Sequence, residues 1–217
     1  MILKIKIILA STSRYRAELL TRLQIPFAIV KPAVDEAPLT GESPAATALR
    51  LSIAKAIVVA ESISAYSTNA ASSHDIDYPD YPKLTSTLII GSDQVADLNG
   101  QQLGKPGLRD RAKEQLQAMR GQTVIFHTAL AVVHVETRRT QSLIEPTKVT
   151  FRNYSDNEIE NYLDRENALD CAGSAKSEGL GAALISRMTS NDPTALIGLP
   201  LLALTEMLAK EGYRVLA

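Results

Sequence analysis

The chain has no tryptophan, only three phenylalanines and a single cysteine, Cys171. One cysteine excludes an internal disulfide and any cysteine-rich metal site. The scarcity of large aromatics leaves little with which to stack single-stranded nucleic acid. A surplus of positive charge is also missing. The formal net charge is -1, so no global basic field favours a long nucleic acid, and no stable nucleic-acid partner is expected. A protein of this charge that binds phosphates does so with a few placed Lys and Arg residues. No apolar run approaches the ~20 residues of a membrane span, and Met1 to Ala10 is too short and too interrupted by Lys4 and Lys6 for a signal peptide. The expected address is the cytoplasm, without a membrane partner. What remains is ordinary globular composition, 45% hydrophobic and 22% charged over 217 residues, enough for one α/β domain with two lobes.

Short apolar runs alternate with helical patterns. Ile5 to Ala10 reads as a buried strand ending at Ser11-Thr12-Ser13, and Arg14 to Leu23 as the helix that follows. Strand, Ser-rich turn and helix is a phosphate-cradling order, because N–H groups at a helix start have no helical partner. A plain Ser N-cap explains the same spacing and is the commoner case. Ser43-Pro44 opens a second helix, with an apolar stripe of Leu49, Ile53, Ala56, Ile57 and Ala60. Lys55 stands about 200° from Ile53 at helical spacing and faces either solvent or a cleft, solvent being the commoner answer. Ser64 to Ser86 shows no period and reads as a long, flexible surface loop within the domain.

Thr87 to Gly91 reads as a strand, with Ser92-Asp93-Gln94 directly after it and Val95 to Leu98 continuing extended. Asn99-Gly100 is the strongest hairpin signal in the chain. Arg109 to Arg120 reads as a helix closed by Gly121, and Thr123 to Val135 with Gln141 to Phe151 as a long antiparallel pair. Ser155 to Glu158 is a capping box for a helix running to about Glu166. Small and polar residues from Cys171 to Gly181 read as a site loop. Asp192-Pro193 marks a turn, and Gly198-Leu199-Pro200 leads into a last helix, Leu201 to Lys210.

Ligand sites in α/β folds gather at strand ends and turns. The candidates there are Ser11, Ser13, Arg14, Arg16, Glu36, Lys55, Asp93, Gln94, Lys105, Lys176 and Glu178. They combine cations for phosphates with carboxylates for a metal or a base. Asp93 can serve as base or metal ligand, and capping a turn is an equally good account of it alone. Gly104-Lys105 lacks P-loop spacing. His74, His127 and His134 have no catalytic pattern around them.

Taken in order, these blocks resemble the Maf family of nucleotide pyrophosphatases along nearly the whole chain. The matching pieces are Leu9-Ala10-Ser11-Thr12-Ser13 with Arg16, Val34-Asp35-Glu36, Ala54-Lys55-Ala56, Gly91-Ser92-Asp93-Gln94, Gly104-Lys105-Pro106 and Gly198-Leu199-Pro200. Gly91 to Val95 and Cys171 to Gly179 look most like the branch that acts on 7-methyl-GTP. One block departs: Ser13-Arg14-Tyr15-Arg16 stands where the family usually has Ser-Pro-Arg-Arg or Ser-Pro-Trp-Arg.

The resemblance implies a mixed α/β fold with an elongated sheet and two lobes around a central cleft. It also implies cleavage between the α and β phosphates of a small nucleoside triphosphate, and a homodimer. It assigns Asp93 to the activation of water, and makes Glu36, with Asp93 as co-ligand, the seat of a divalent cation such as magnesium, manganese or cobalt. Ser11, Ser13, Arg16, Lys55, Lys105 and Lys176 become substrate-binding residues, and Tyr15, Gln94 and Glu178 set the choice of base. Preference for dTTP and UTP, and a nucleotide-binding regulator of cell division with little turnover, are the alternative readings.

Overall fold

Ile7 and Leu9 alternate with Ile8 and Ala10 along strand β1 (Lys6–Ala10), and all four are buried. A strand buried on both faces needs cover on both, which places it inside a layered α/β structure. The computed structural model describes residues 5–70 and 86–217. After β1 come α1 (Arg14–Thr21), β2 (Ala28–Val30), α2 (Pro44–Ala70), β3 (Thr87–Leu98) and β4 (Gln101–Leu103). The chain continues through α3 (Arg109–Met119), β5 (Thr123–His134), β6 (Thr140–Phe151), α4 (Asp156–Arg165), β7 (Ile185–Thr189) and α5 (Leu201–Lys210). The strands form one mixed sheet in the order β2-β1-β3-β5-β6-β7, with β4 added to the far end of β3. The mixed α/β class is as expected.

The even-numbered face of β3 shows why the molecule has two lobes. Leu88 and Ile90 join a core with β1, α1 and α5, while Ala96 and Leu98 join another with α3, α4 and Phe126. Between them the same face carries Ser92 and Gln94, and Thr128 stands opposite Gln94 on β5. This polar belt cannot enter either core unpaired. It is satisfied by the backbone of Ala195 to Gly198: Gln94 Nε2 lies 2.9 Å from Leu196 O, Thr128 Oγ1 donates to Ala195 O, and Ser92 Oγ lies 2.9 Å from Gly198 O.

The odd-numbered face packs on α2. A Cβ on Gly91 would collide with the Ser52 carbonyl oxygen and stand 2.9 Å from the Ala56 Cβ, so glycine is what lets helix and strand approach. The helix turns Ala48, Leu51, Ser52, Lys55, Ala56, Val59 and Ala60 inward. Ile53 is only half-buried and Ile57 is exposed, which corrects the expected stripe. Ser52 and Ala56 lie against Gly91, where a larger side chain would not fit.

Three further boundaries differ from expectation. Helix α2 continues to Ala70, so Ser64 to Ala70 is not loop; propagation costs little once a helix is nucleated. The rest of the expected loop, 71–85, lies outside the described residues. Strand β3 runs unbroken through Asp93 because β5 pairs with it from Leu88 to Asp97. The short strands β2 and β7, absent from the sequence reading, lie at the two sheet edges and have no two-faced burial to mark them.

Candidate active site

Asp93 therefore stands within a strand, not after one. Its special position comes from the other edge of β3. There β1 pairs in parallel only as far as Ile90, and β4 pairs antiparallel only from Ala96. The chain leaves β1 at Ser11 and leaves β4 at Gly104, on opposite sides of the same interval. The change of neighbour opens a crevice at Asp93, which is the physical basis of ligand sites at switch points in α/β sheets. A cleft of about 810 Å³ occupies this place, a size suited to a small-molecule ligand.

Lys55, 4% exposed, is at the bottom of the cleft. Its ammonium bonds Asp93 Oδ1 at 2.7 Å and Glu36 Oε1 at 2.6 Å. The choice between solvent and cleft is settled in favour of the cleft. Glu36 is brought in by the loop after β2. Its burial raises the carboxyl pKa, but the bond to Lys55 and the charges of Lys55, Lys105 and Arg16 outweigh this and hold it below the usual carboxylate range.

Helix α1 begins on the cleft wall. Ser13 is its N-cap, accepting from Arg16 N, so the commoner reading of this serine is correct. The capped helix start opens on the cleft. Ser11 Oγ accepts from Ser13 N at 3.1 Å and Arg16 Nη1 at 3.4 Å. Arg16 Nε donates to Gly198 O at 2.9 Å. Burial works against the Arg16 charge, while Asp93 and Glu36 favour it.

Ser11, Ser13, Tyr15, Arg16, Glu36, Lys55, Asp93, Gln94, Lys105 and Glu178 all line this one cleft. Lys176 does not: its ammonium bonds Glu166 Oε1 at 3.0 Å, and the Glu166 carboxylate also accepts from Leu180 N. Gln94 lines the cleft, but its amide nitrogen is spent on the polar belt, which leaves its oxygen for a ligand. Tyr15 is flanked by cations, with the Arg14 guanidinium 4.7 Å and the Lys176 ammonium 5.9 Å from its ring centre.

Cleft residues the sequence reading passed over are Lys31, Gln102 and Asp170. Lys31 follows the unread strand β2. Gln102 sits on the return strand of the Asn99-Gly100 hairpin, a signal that would have placed it beside Asp93's crevice. Asp170 adjoins Cys171 and accepts weakly from Tyr15 Oη at 3.5 Å. Burial pushes the Cys171 thiol up to about 11, so it is no nucleophile at neutral pH.

Among the described residues no three His, Cys, Asp or Glu side chains gather as a metal site. Two carboxylates do converge, since Glu36 and Asp93 bond the same ammonium. Magnesium is commonly held by one or two carboxylates together with substrate phosphates, so this pair fits a cation that arrives with its nucleotide.

Fold and cleft define a two-lobed α/β protein with a small-molecule-sized crevice, lined by both cations and carboxylates, at a sheet switch point. Residues 6–211 match the Maf-like protein family, and the chain belongs to that family. It is similar to the 7-methyl-GTP pyrophosphatase of Thiobacillus denitrificans, 52% identical over 97% of this chain and 94% of that protein. It is also similar to those of Cupriavidus pinatubonensis, 50% identical over 96% and 94%, and Burkholderia thailandensis, 51% identical over 96% and 88%.

Proposed function

We propose that the protein is a nucleoside triphosphate pyrophosphatase that converts 7-methyl-GTP to the monophosphate and pyrophosphate. The observation that carries the chemistry is the buried Asp93, bonded to Lys55 on one oxygen and opening on a cleft lined by Arg16 and Lys105. The relatives named above support the choice of substrate.

In this reading Asp93 gives Oδ1 to Lys55 and uses Oδ2 to take a proton from water. The water oxygen forms a bond to the α-phosphorus. The bond from that phosphorus to the bridging oxygen breaks, and pyrophosphate leaves with the electron pair. Arg16, Lys55 and Lys105 stabilise negative charge gathering on the phosphoryl oxygens, and Ser11 and Ser13 hold the phosphates at the start of α1. Glu36 would hold magnesium, manganese or cobalt, joined by Asp93 only through Oδ1 so that Oδ2 stays free for the proton, and the metal supplies Lewis-acid withdrawal of charge when bound. Lys176 serves the site indirectly, from its place between Glu166 and Tyr15.

For the base, Glu178 accepts from guanine N–H donors and favours the positive charge of the N7-methylated ring. Tyr15 offers a face for a cationic ring, in competition with Arg14. Gln94 contributes its amide oxygen. The same reading makes the protein a single cytoplasmic unit that works as a homodimer. An address in a reducing compartment agrees with its lone cysteine. No described helix is long and apolar enough to cross a membrane.

The test is product analysis with 7-methyl-GTP, GTP, dTTP, UTP and CTP. The expected result is pyrophosphate plus monophosphate, with the highest kcat/KM for 7-methyl-GTP. Release of orthophosphate would overturn the reaction, and a pyrimidine preference would overturn the substrate.

A further inference from the structure

Three segments bring Glu36, Lys55 and Lys105 to the cleft: the loop after β2, helix α2, and the turn after β4. In the cleft itself Lys55 bonds Glu36 directly. A second polar cluster, partly in the cleft wall, joins the loop after β2, helix α2 and strand β4, which leads to Lys105. Its centre is the Glu42 carboxylate, only 10% exposed. Arg50 grips it in a fork, Nε to Oε1 at 2.7 Å and Nη2 to Oε2 at 2.8 Å. Leu39 N and the Thr47 hydroxyl also donate to Oε2. The Arg50 fork, with these further donors, pulls the Glu42 carboxyl down to about 2.

The cluster reaches outward in two directions. Arg50 Nη2 donates to Ala37 O at 3.0 Å, the residue next to Glu36. Gln102 Nε2 donates to Thr47 Oγ1 at 2.9 Å, three residues before Lys105. Arg50 itself stands five residues before Lys55 on α2. In the loop after β2 Leu39 is 60% exposed. An arginine fork is the side chain suited to holding a carboxylate and a carbonyl in one plane.

We propose that Arg50 and Glu42 are positioning residues for the reaction, which hold Glu36 at the cleft by fixing its loop to α2. The proposal rests on the reading of Glu36 as a cation-binding residue. Supporting groups of this kind typically alter metal affinity or activity about 10- to 100-fold when removed.

The experiment compares the full-length protein with Arg50→Lys, Arg50→Met, Glu36→Gln and the Glu36→Gln/Arg50→Met double variant. Arg50→Lys keeps the charge and loses the fork, and it serves should Arg50→Met fail to fold. Magnesium binding is measured by calorimetry in the presence of a non-hydrolysable α,β-methylene GTP analogue. Amide hydrogen exchange is followed in the 33–40 segment. The expected result is magnesium binding weakened about tenfold in either Arg50 variant, with faster exchange in 33–40. The double variant should bind no more weakly than Glu36→Gln alone. Weakened binding in Glu36→Gln with unchanged binding in both Arg50 variants would overturn the inference and leave the site reading intact. Should Glu36→Gln bind magnesium as the wild type does, the cation-binding reading of Glu36 falls and this role for Arg50 with it.

Discussion

Two ionic clusters in this molecule have nearly the same bond lengths and opposite settings. In the cleft, Lys55 bonds Glu36 and Asp93 at 2.6 and 2.7 Å. Between α3 and α4, Arg109 bonds Glu160 and Asp164 at 2.7 Å each, and Lys113 bonds Glu160 at 2.6 Å. The side chains of the second cluster are 38–64% exposed, whereas those of Lys55 and Asp93 are 5% and 10%, and of the cleft cluster only Glu36, at 59%, is open to solvent. Water thus screens the Lys55–Asp93 pair much less than it screens the pairs of the second cluster. Distance alone therefore does not identify a functional ion pair. Burial at a gap in the sheet, with an open cleft beside it, separates the two.

The largest expected contrast is with metal. Exhaustive chelation should abolish pyrophosphate release, and magnesium, manganese or cobalt should restore it, while the α3–α4 cluster, which binds no cation in this account, is unaffected. Full activity in the chelated enzyme would remove the metal from the account. Next comes Asp93→Asn, which preserves volume but cannot accept a proton. Turnover should fall at least about 10²-fold with nucleotide binding retained; a fall of less than about tenfold, only ~1.4 kcal/mol of barrier, would end its assignment as base.

Lys55→Met should cost both activity and stability. It leaves Asp93 buried without its cation, and a loss of about 3 kcal/mol is expected, near the low end for a broken buried pair because Glu36 is exposed. Denaturant titration reads this directly, and an unchanged midpoint would show that cleft water replaces the ammonium at no cost. A smaller effect belongs to Glu178→Ala, at the exposed rim of the same cleft. The ratio of kcat/KM for 7-methyl-GTP over GTP should fall about tenfold, as expected for one charge-assisted contact. If the ranking of substrates survives unaltered, Glu178 does not select the base. Least of all should be seen with Glu160→Gln in the surface cluster: kcat/KM as in the wild type, and a melting temperature shifted less than by Lys55→Met. A larger shift there would dissolve the comparison.

Local patterns made several elements legible. The capping box at Ser155 and Glu158 is formed with both of its bonds. Asn99-Gly100 does turn β3 into β4, with both residues at positive φ. The pair β5 and β6 and the final helix were readable from apolar runs and turn residues. Harder to read were features whose cause lies elsewhere in the chain. Strand β3 looked broken at Ser92-Asp93-Gln94, because three polar residues resemble a turn until β5 and the Ala195 to Gly198 backbone supply their partners. Of the expected α2 stripe, Ala56 and Ala60 do face the sheet, whereas Ile53 and Ile57 turn away from it because the helix packs on the side that lies against Gly91.

By itself, then, the sequence determined the mixed α/β class, the Ser-capped start of α1 and the stock of cations and carboxylates from which the site is made. These follow from rules that act within a few residues: apolar periodicity, turn chemistry and capping. Only the tertiary structure decided that Lys55 faces Asp93 rather than solvent, that Lys176 turns to Glu166, and that the crevice opens at the middle of β3. Those outcomes depend on which strands run out of partners, and where. That is a matter of distant segments sharing one sheet, to which no local spacing gives access.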